Sequence, residues 1–203
     1  MDEIQQLGHA AEIGDLQQVA RLLNAGVPVD ARNIVDRSRT ALDRAIWAEQ
    51  AEVVRLLLES NADPDQRIGE YGEDVPVRFA APRNMTQILR LLLEAGADPD
   101  GRAHVKQATP LVLAAVQGHV VMVELLLKHG ASIHYIEGKM GTPLTGAAAG
   151  GSPVIVRMLL DRGATPTLAA LERAESRAAE FRSDPERLKA FEQIIAILKA
   201  ARS

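Results

Sequence analysis

Thr109-Pro110-Leu111-Val112-Leu113-Ala114-Ala115, then Gly118-His119, Leu125-Leu126-Leu127 and Gly130-Ala131, is the stretch whose reading decides the fold. It holds two short helices and the signals that bound them. Pro110 suits a first helical position, where its missing N–H would have had no partner, and Thr109 before it can cap the neighbouring donors. Gly130 is a residue type that enters a left-handed helix stop at least cost. Between these marks, Val120 to Leu127 is apolar nearly all round, which predicts a helix buried between neighbours.

The pattern returns along the chain. Gly26, Asn61, Gly96, Gly130 and Gly163 each close a run containing Leu-Leu, at spacings of 35, 35, 34 and 33. Thr40-Ala41-Leu42, Val75-Pro76-Val77, Thr109-Pro110-Leu111 and Thr142-Pro143-Leu144 open helices at spacings of 35, 34 and 33. A period of this length marks a solenoid, in which each unit buries its apolar face only against its neighbours. Second helices carry their own start signals. Asn84-Met85-Thr86-Gln87 has capping-box spacing, and Ser152-Pro153 reads as a cap followed by a first-turn proline.

Thr109 to Ala131 resembles the ankyrin-repeat family, and Thr142 to Ala164 matches nearly as well. The second and third repeats are looser but keep Ala62-Asp63 and Ala97-Asp98; the first lacks the opening marker. The resemblance covers roughly residues 5 to 166. It implies an all-α solenoid of stacked helix-turn-helix units with β-hairpin-like finger loops. The expected organisation is one domain over 1–203, with repeats at 5–36, 37–71, 72–106, 107–139 and 140–166. Residues 167–203 are expected to form a degenerate capping unit; a free amphipathic tail helix is the alternative.

The ends carry polar faces, as terminal units require. Gln18 and Arg21 hold the register that is Val53 and Leu56 one repeat later. Near the C-terminus, Leu168, Leu171, Ala174 and Ala178 form one helical stripe. Ser183-Asp184-Pro185-Glu186 reads as a helix start, followed by Leu188, Phe191, Ile194, Ile195 and Leu198.

The family resemblance implies that fingers and first-helix surfaces line a groove that binds a partner protein. Trp47, the only tryptophan, shares a register with Pro82, Val116 and Ala149. That register faces the groove in the family, although packing between repeats is the other reading. Arg83, Gln117 and Gly150 follow the same logic. The first two fingers are two residues longer than the fourth, through drift or function. Arg37 and Arg39 sit on the first, and Tyr71, Glu73 and Asp74 on the acidic second; finger-to-finger ion pairing and a charged binding rim are both open. Lys139, before the fifth repeat, completes the candidates. Arg44 stands where later repeats have Phe79, Leu113 and Gly146, so it must snorkel or find a partner such as Asp43 or Glu73.

Composition narrows the function. With 47% hydrophobic but only 3% aromatic residues, the core must be aliphatic, which favours close-packed helices. A net charge of -4 argues against a nucleic-acid partner. The absence of cysteine excludes disulfides, thiolate metal sites and a Cys nucleophile, and fits a reducing compartment. No signal-like N-terminus and no apolar run of membrane length is present, so the expectation is a cytoplasmic protein without a membrane partner. None of His9, His104, His119, His129 and His134 pairs at metal-ligand spacing, and no phosphate loop or nucleophile elbow is found. The chain is therefore read as a non-enzyme without cofactor, a monomeric adaptor or scaffold that binds another protein. A stoichiometric inhibitor or immunity-type protein is the alternative.

Overall fold

A computed structural model describes residues 2–32, 39–69, 74–101, 108–134 and 141–202. Among these residues the chain is helical apart from turns and isolated bridging, such as the antiparallel bridge of Ile68 with Asp74 at the base of the second finger. Two compact units divide it, Met1–Arg102 and Ala103–Ser203.

The first unit contains α1 (Glu3–Ile13), α2 (Leu16–Asn24), α3 (Ala41–Trp47), α4 (Ala51–Glu59), α5 (Pro76–Ala80) and α6 (Thr86–Glu94). Helix α1 packs on α3, α2 on α4, and α4 on α6. The second contains α7 (Pro110–Gln117), α8 (Val120–Lys128), α9 (Pro143–Gly150), α10 (Pro153–Asp161), α11 (Leu168–Glu180) and α12 (Pro185–Arg202). Here α7 packs on α9 and α9 on α11, while α10 lies against α8 and α12. Helices α11 and α12 pack on each other as well, with Lys199 of α12 and Glu175 of α11 3.2 Å apart at the surface.

The start signals act as their chemistry dictates. The hydroxyls of Thr40, Thr109, Thr142 and Thr167 accept from the backbone N–H three residues on, at 3.1–3.3 Å. Ser152 caps α10 in the same way, and Asp184 accepts from the Arg187 N–H at the start of α12. In the N-terminal repeat, Asp2 replaces the missing marker, forming a capping box with Gln5. The stop signals are equally regular. Gly26, Asn61, Gly96, Gly130 and Gly163 all have φ between 65° and 91°. Carboxylates join finger bases within the first unit: Asp30 accepts from the Asp63 N–H at 3.2 Å, and Asp65 from the Asp98 N–H at 3.0 Å.

Three sequence readings need correction. Asn84 is not an N-cap: it takes a left-handed φ of 57° at the turn between helices, and Met85 precedes α6 without a side-chain cap. Helix α8 is not buried all round, because Val121 is 47% exposed opposite Met122, Val123, Leu125 and Leu126. On α11 the buried stripe is Ala170, Leu171 and Ala174, and Leu168 faces solvent.

Asn84 belongs to a second series of left-handed turns, with Gly14, Glu49, Gly118 and Gly151. Glu49, at φ 57°, is the one member without a glycine or asparagine to suit that conformation. A left-handed residue with a Cβ costs about 1–2 kcal/mol, partly offset by glycine's larger unfolded-state entropy. Glu49→Gly is expected to stabilise the protein by about 0.5–1 kcal/mol, read as a higher urea midpoint at unchanged slope. A lower midpoint would show that the Glu49 side chain contributes more than its backbone costs.

Candidate partner-binding face

Helices α3 and α5 bring together residues that are distant in sequence. Trp47 ends α3 and is 45% exposed. Its ring centroid lies 4.7 Å from that of Phe79, at a tilt of 42°. The Arg39 guanidinium sits over the Trp47 ring at 5.1 Å, and the Arg83 guanidinium over the Phe79 ring at 3.7 Å. The result is a row of guanidinium, indole, phenyl and guanidinium in the first unit. Tilted aromatic pairs add about 0.5–1.5 kcal/mol beyond area burial, and each exposed cation–π contact about 0.5–1 kcal/mol.

Local chemistry places each member. Thr40 starts α3 one residue after Arg39, so Arg39 precedes the helix whose last residue is Trp47. Phe79, 4% exposed, occupies the third-repeat register of Arg44. Pro82 then ends the α-helix: its ring clashes with the carbonyl four residues back and it has no N–H. The chain tightens into a 3-10 turn over Ala81–Arg83. A continued α-helix would pair the Phe79 carbonyl with the backbone N–H of residue 83; instead that carbonyl accepts from the Arg83 guanidinium at 2.9 Å. Arg83 is thereby held on the Phe79 ring.

Also on α3, Asp43 is 2% exposed and accepts from the Gly69 N–H at 3.2 Å, tying α3 to the base of the second finger. Arg44 finds a partner that sequence reasoning did not offer, Glu12 of α1, at 2.8 Å. Gly8 leaves room for it, since a Cβ there would lie 3.1 Å from both Arg44 Cδ and Nη1. Asp74 is engaged locally, 2.6 Å from Arg78 Nη1, and accepts from the Val75 N–H at 2.9 Å. Arg32 reaches the Arg67 carbonyl at 3.5 Å between the first two fingers.

Of the nine candidates, Arg39, Trp47 and Arg83 come together through Phe79. Gln117 lies in the second unit, exposed at the end of α7. Arg37, Tyr71, Glu73 and Lys139 lie outside the described residues. Phe79 was missed as a site residue. Its signal was the i, i+4 spacing to Arg83 and a position one helical turn before Trp47's register in the adjacent repeat. Among the described residues, no group of three His, Asp or Glu could hold a metal ion, and no helix is long and apolar enough to cross a membrane.

Helix-turn-helix pairs with periodic caps and left-handed turns define a helical repeat protein. Two family models of ankyrin repeats match the chain, over residues 8–58 and 77–170, together well over half of it. The chain belongs to the ankyrin-repeat family, and its fold is the all-α ankyrin-repeat solenoid. Ankyrin repeats are in general protein–protein interaction modules rather than catalytic domains. A crystal structure of an ankyrin repeat domain from Acinetobacter baumannii AYE matches with a TM-score of 0.82 and 28% identity, over 98% of each chain. The ankyrin repeat domain-containing protein SAT10 of Stachybotrys chartarum is 43% identical over 61 residues. That match takes in 30% of this chain and 3% of the length of the curated relative.

Proposed function

We propose that this chain is an adaptor or scaffold that captures a partner protein through the face bearing Arg39, Trp47 and Arg83. The observation that carries the reading is the half-exposed Trp47, held against Phe79 and beneath Arg39. A large aromatic surface that is fixed before binding loses little entropy on docking, and Trp and Arg dominate interface hot spots. The two guanidiniums suit a partner that offers an apolar side chain to Trp47 with carboxylates beside it. The same reading has the protein act as a cytoplasmic monomer without a cofactor, in keeping with its lack of cysteine.

The test begins with the protein that co-purifies from the native source, identified by mass spectrometry, whose Kd is then measured against purified variants. Trp47→Ala combined with Arg83→Ala is expected to weaken binding at least about 30-fold, the effect of losing about 2 kcal/mol at a hot spot. Circular dichroism checks that the variant keeps its helices. Unchanged affinity in the folded double variant would remove this face from the interface.

A further inference from the structure

The second unit holds a separate cleft of about 380 Å³. Its origin is a mismatch of helix lengths. Helix α11 has 13 residues and the α9 it packs on has 8, so α11 runs about 7–8 Å further. Arg177 and Phe181 lie on or beyond that overhang, and Arg187 and Phe191 face them from α12. The opposite wall is the end of α7 with Gln117, and the Gly150-Gly151 turn. Close packing of this turn on α12 requires glycine: a Cβ on Gly151, at φ 76°, would stand 2.9 Å from Phe191 Cζ.

The two arginines share one aromatic support. Both guanidiniums lie over the Phe181 ring, at 4.8 and 4.9 Å, and Phe181 stacks nearly parallel on Phe191 at 5.6 Å. Arg177 also pairs with Glu180, and Arg187 with Asp184 at 3.4 Å. Both are i, i+3 pairs at a partly exposed surface, which contribute little. Each engages one nitrogen of a guanidinium that carries five N–H donors, and among the described residues no acidic side chain lines the cleft.

We propose that this cleft binds a carboxylate side chain of an acidic peptide segment, with Arg177 and Arg187 as its charged clamp and the Gln117 amide as a neutral donor. Guanidinium forks match a planar carboxylate in geometry and charge. A volume more than ten times that of one liquid water, about 30 Å³, admits a side chain rather than a bridging water alone. Glu180 and Asp184 already offset part of the positive charge, which favours a singly charged guest over a phosphate dianion. The site shares no residue with the Trp47 face.

The test uses the full chain labelled with nitrogen-15. It is titrated separately with N-acetyl-glutamate α-amide, with its neutral isostere N-acetyl-glutamine α-amide, and with inorganic phosphate. The glutamate probe is expected to shift the backbone amides of Gly150 and Gly151, the Gln117 side-chain amide and the Nε–H signals of Arg177 and Arg187. Those shifts should saturate with a Kd at least tenfold below that of the glutamine probe. Arg177→Gln with Arg187→Gln should abolish them, whereas Trp47→Ala should leave them unchanged. Equal response to the two isosteres, shifts scattered over other arginines, or tighter binding of phosphate overturns the proposal. Because the isosteres are compared on the wild-type chain, that result stands even if the double variant does not fold.

Discussion

Gly150→Ala is expected to destabilise the second unit by about 3 kcal/mol or more, at the upper end of over-packing costs. The new Cβ would stand 2.4 Å from the Val116 carbonyl oxygen, 2.8 Å from that of Ala115 and 2.9 Å from the Val116 carbonyl carbon. All three are backbone atoms of α7, so no side-chain rotation relieves the contact and α9 must move away. Helix propensity works the other way, since alanine is favoured over glycine inside a helix by about 1 kcal/mol. The clash outweighs this because moving α9 also loosens the packing of Leu144, Ala147 and Ala148, which are at most 1% exposed. Gly146→Ala is the comparison. Its Cβ would meet Val116 Cγ2 at 3.1 Å and the Val112 carbonyl at 3.2 Å, distances that a small adjustment can absorb. Urea unfolding should therefore rank Gly146→Ala well above Gly150→Ala in stability. Similar losses, or a Gly150→Ala loss below 1 kcal/mol, would mean that α7 and α9 are not in such close contact.

Leu126→Ala is expected to cost about 3–4 kcal/mol, within the range for leucine truncation in a packed core. Leu126 is completely buried on the inner side of α8. Leu127, its neighbour, is only half-buried. Leu127→Ala removes the same atoms and has the same effect on helix propensity, so the difference between the two variants measures burial alone. The expected cost for Leu127→Ala is about 1–2 kcal/mol, since water already reaches part of that side chain. Equal losses in denaturant titrations would place the two leucines in equivalent surroundings.

The frame of the fold was legible because its punctuation is chemical. A glycine or asparagine at a left-handed φ of 65–91° and a threonine three residues before a backbone N–H are local requirements, and their spacing survives where the intervening residues drift. Asn84 was misread for the same reason: asparagine serves both as an N-cap and as a left-handed turn residue. Gly118 and Gly151 at the same register held the answer. Contacts between repeats were less legible. Arg44's partner Glu12 lies on a helix with no Thr-Pro-Leu marker to fix its register. For Trp47 the sequence offers two alternatives, a groove-facing position and packing between repeats; in the structure one part of the ring rests on Phe79 and the rest meets solvent. The cleft beside Arg177 and Arg187 depends on how far α11 outruns α9. That is a relation between two helix lengths, with no signature in either segment.

Trp47 has one more consequence. It is the only tryptophan in 203 residues, so no indole in the second unit contributes to emission excited at long ultraviolet wavelengths. Fluorescence thus reports on the first unit, and from the face proposed to meet the partner. Far-ultraviolet ellipticity averages the helices of both units. Recorded together during denaturation, the two signals form a pair of clocks: coincident curves mean that the units melt as one cooperative body, and separated curves give the order in which they come apart.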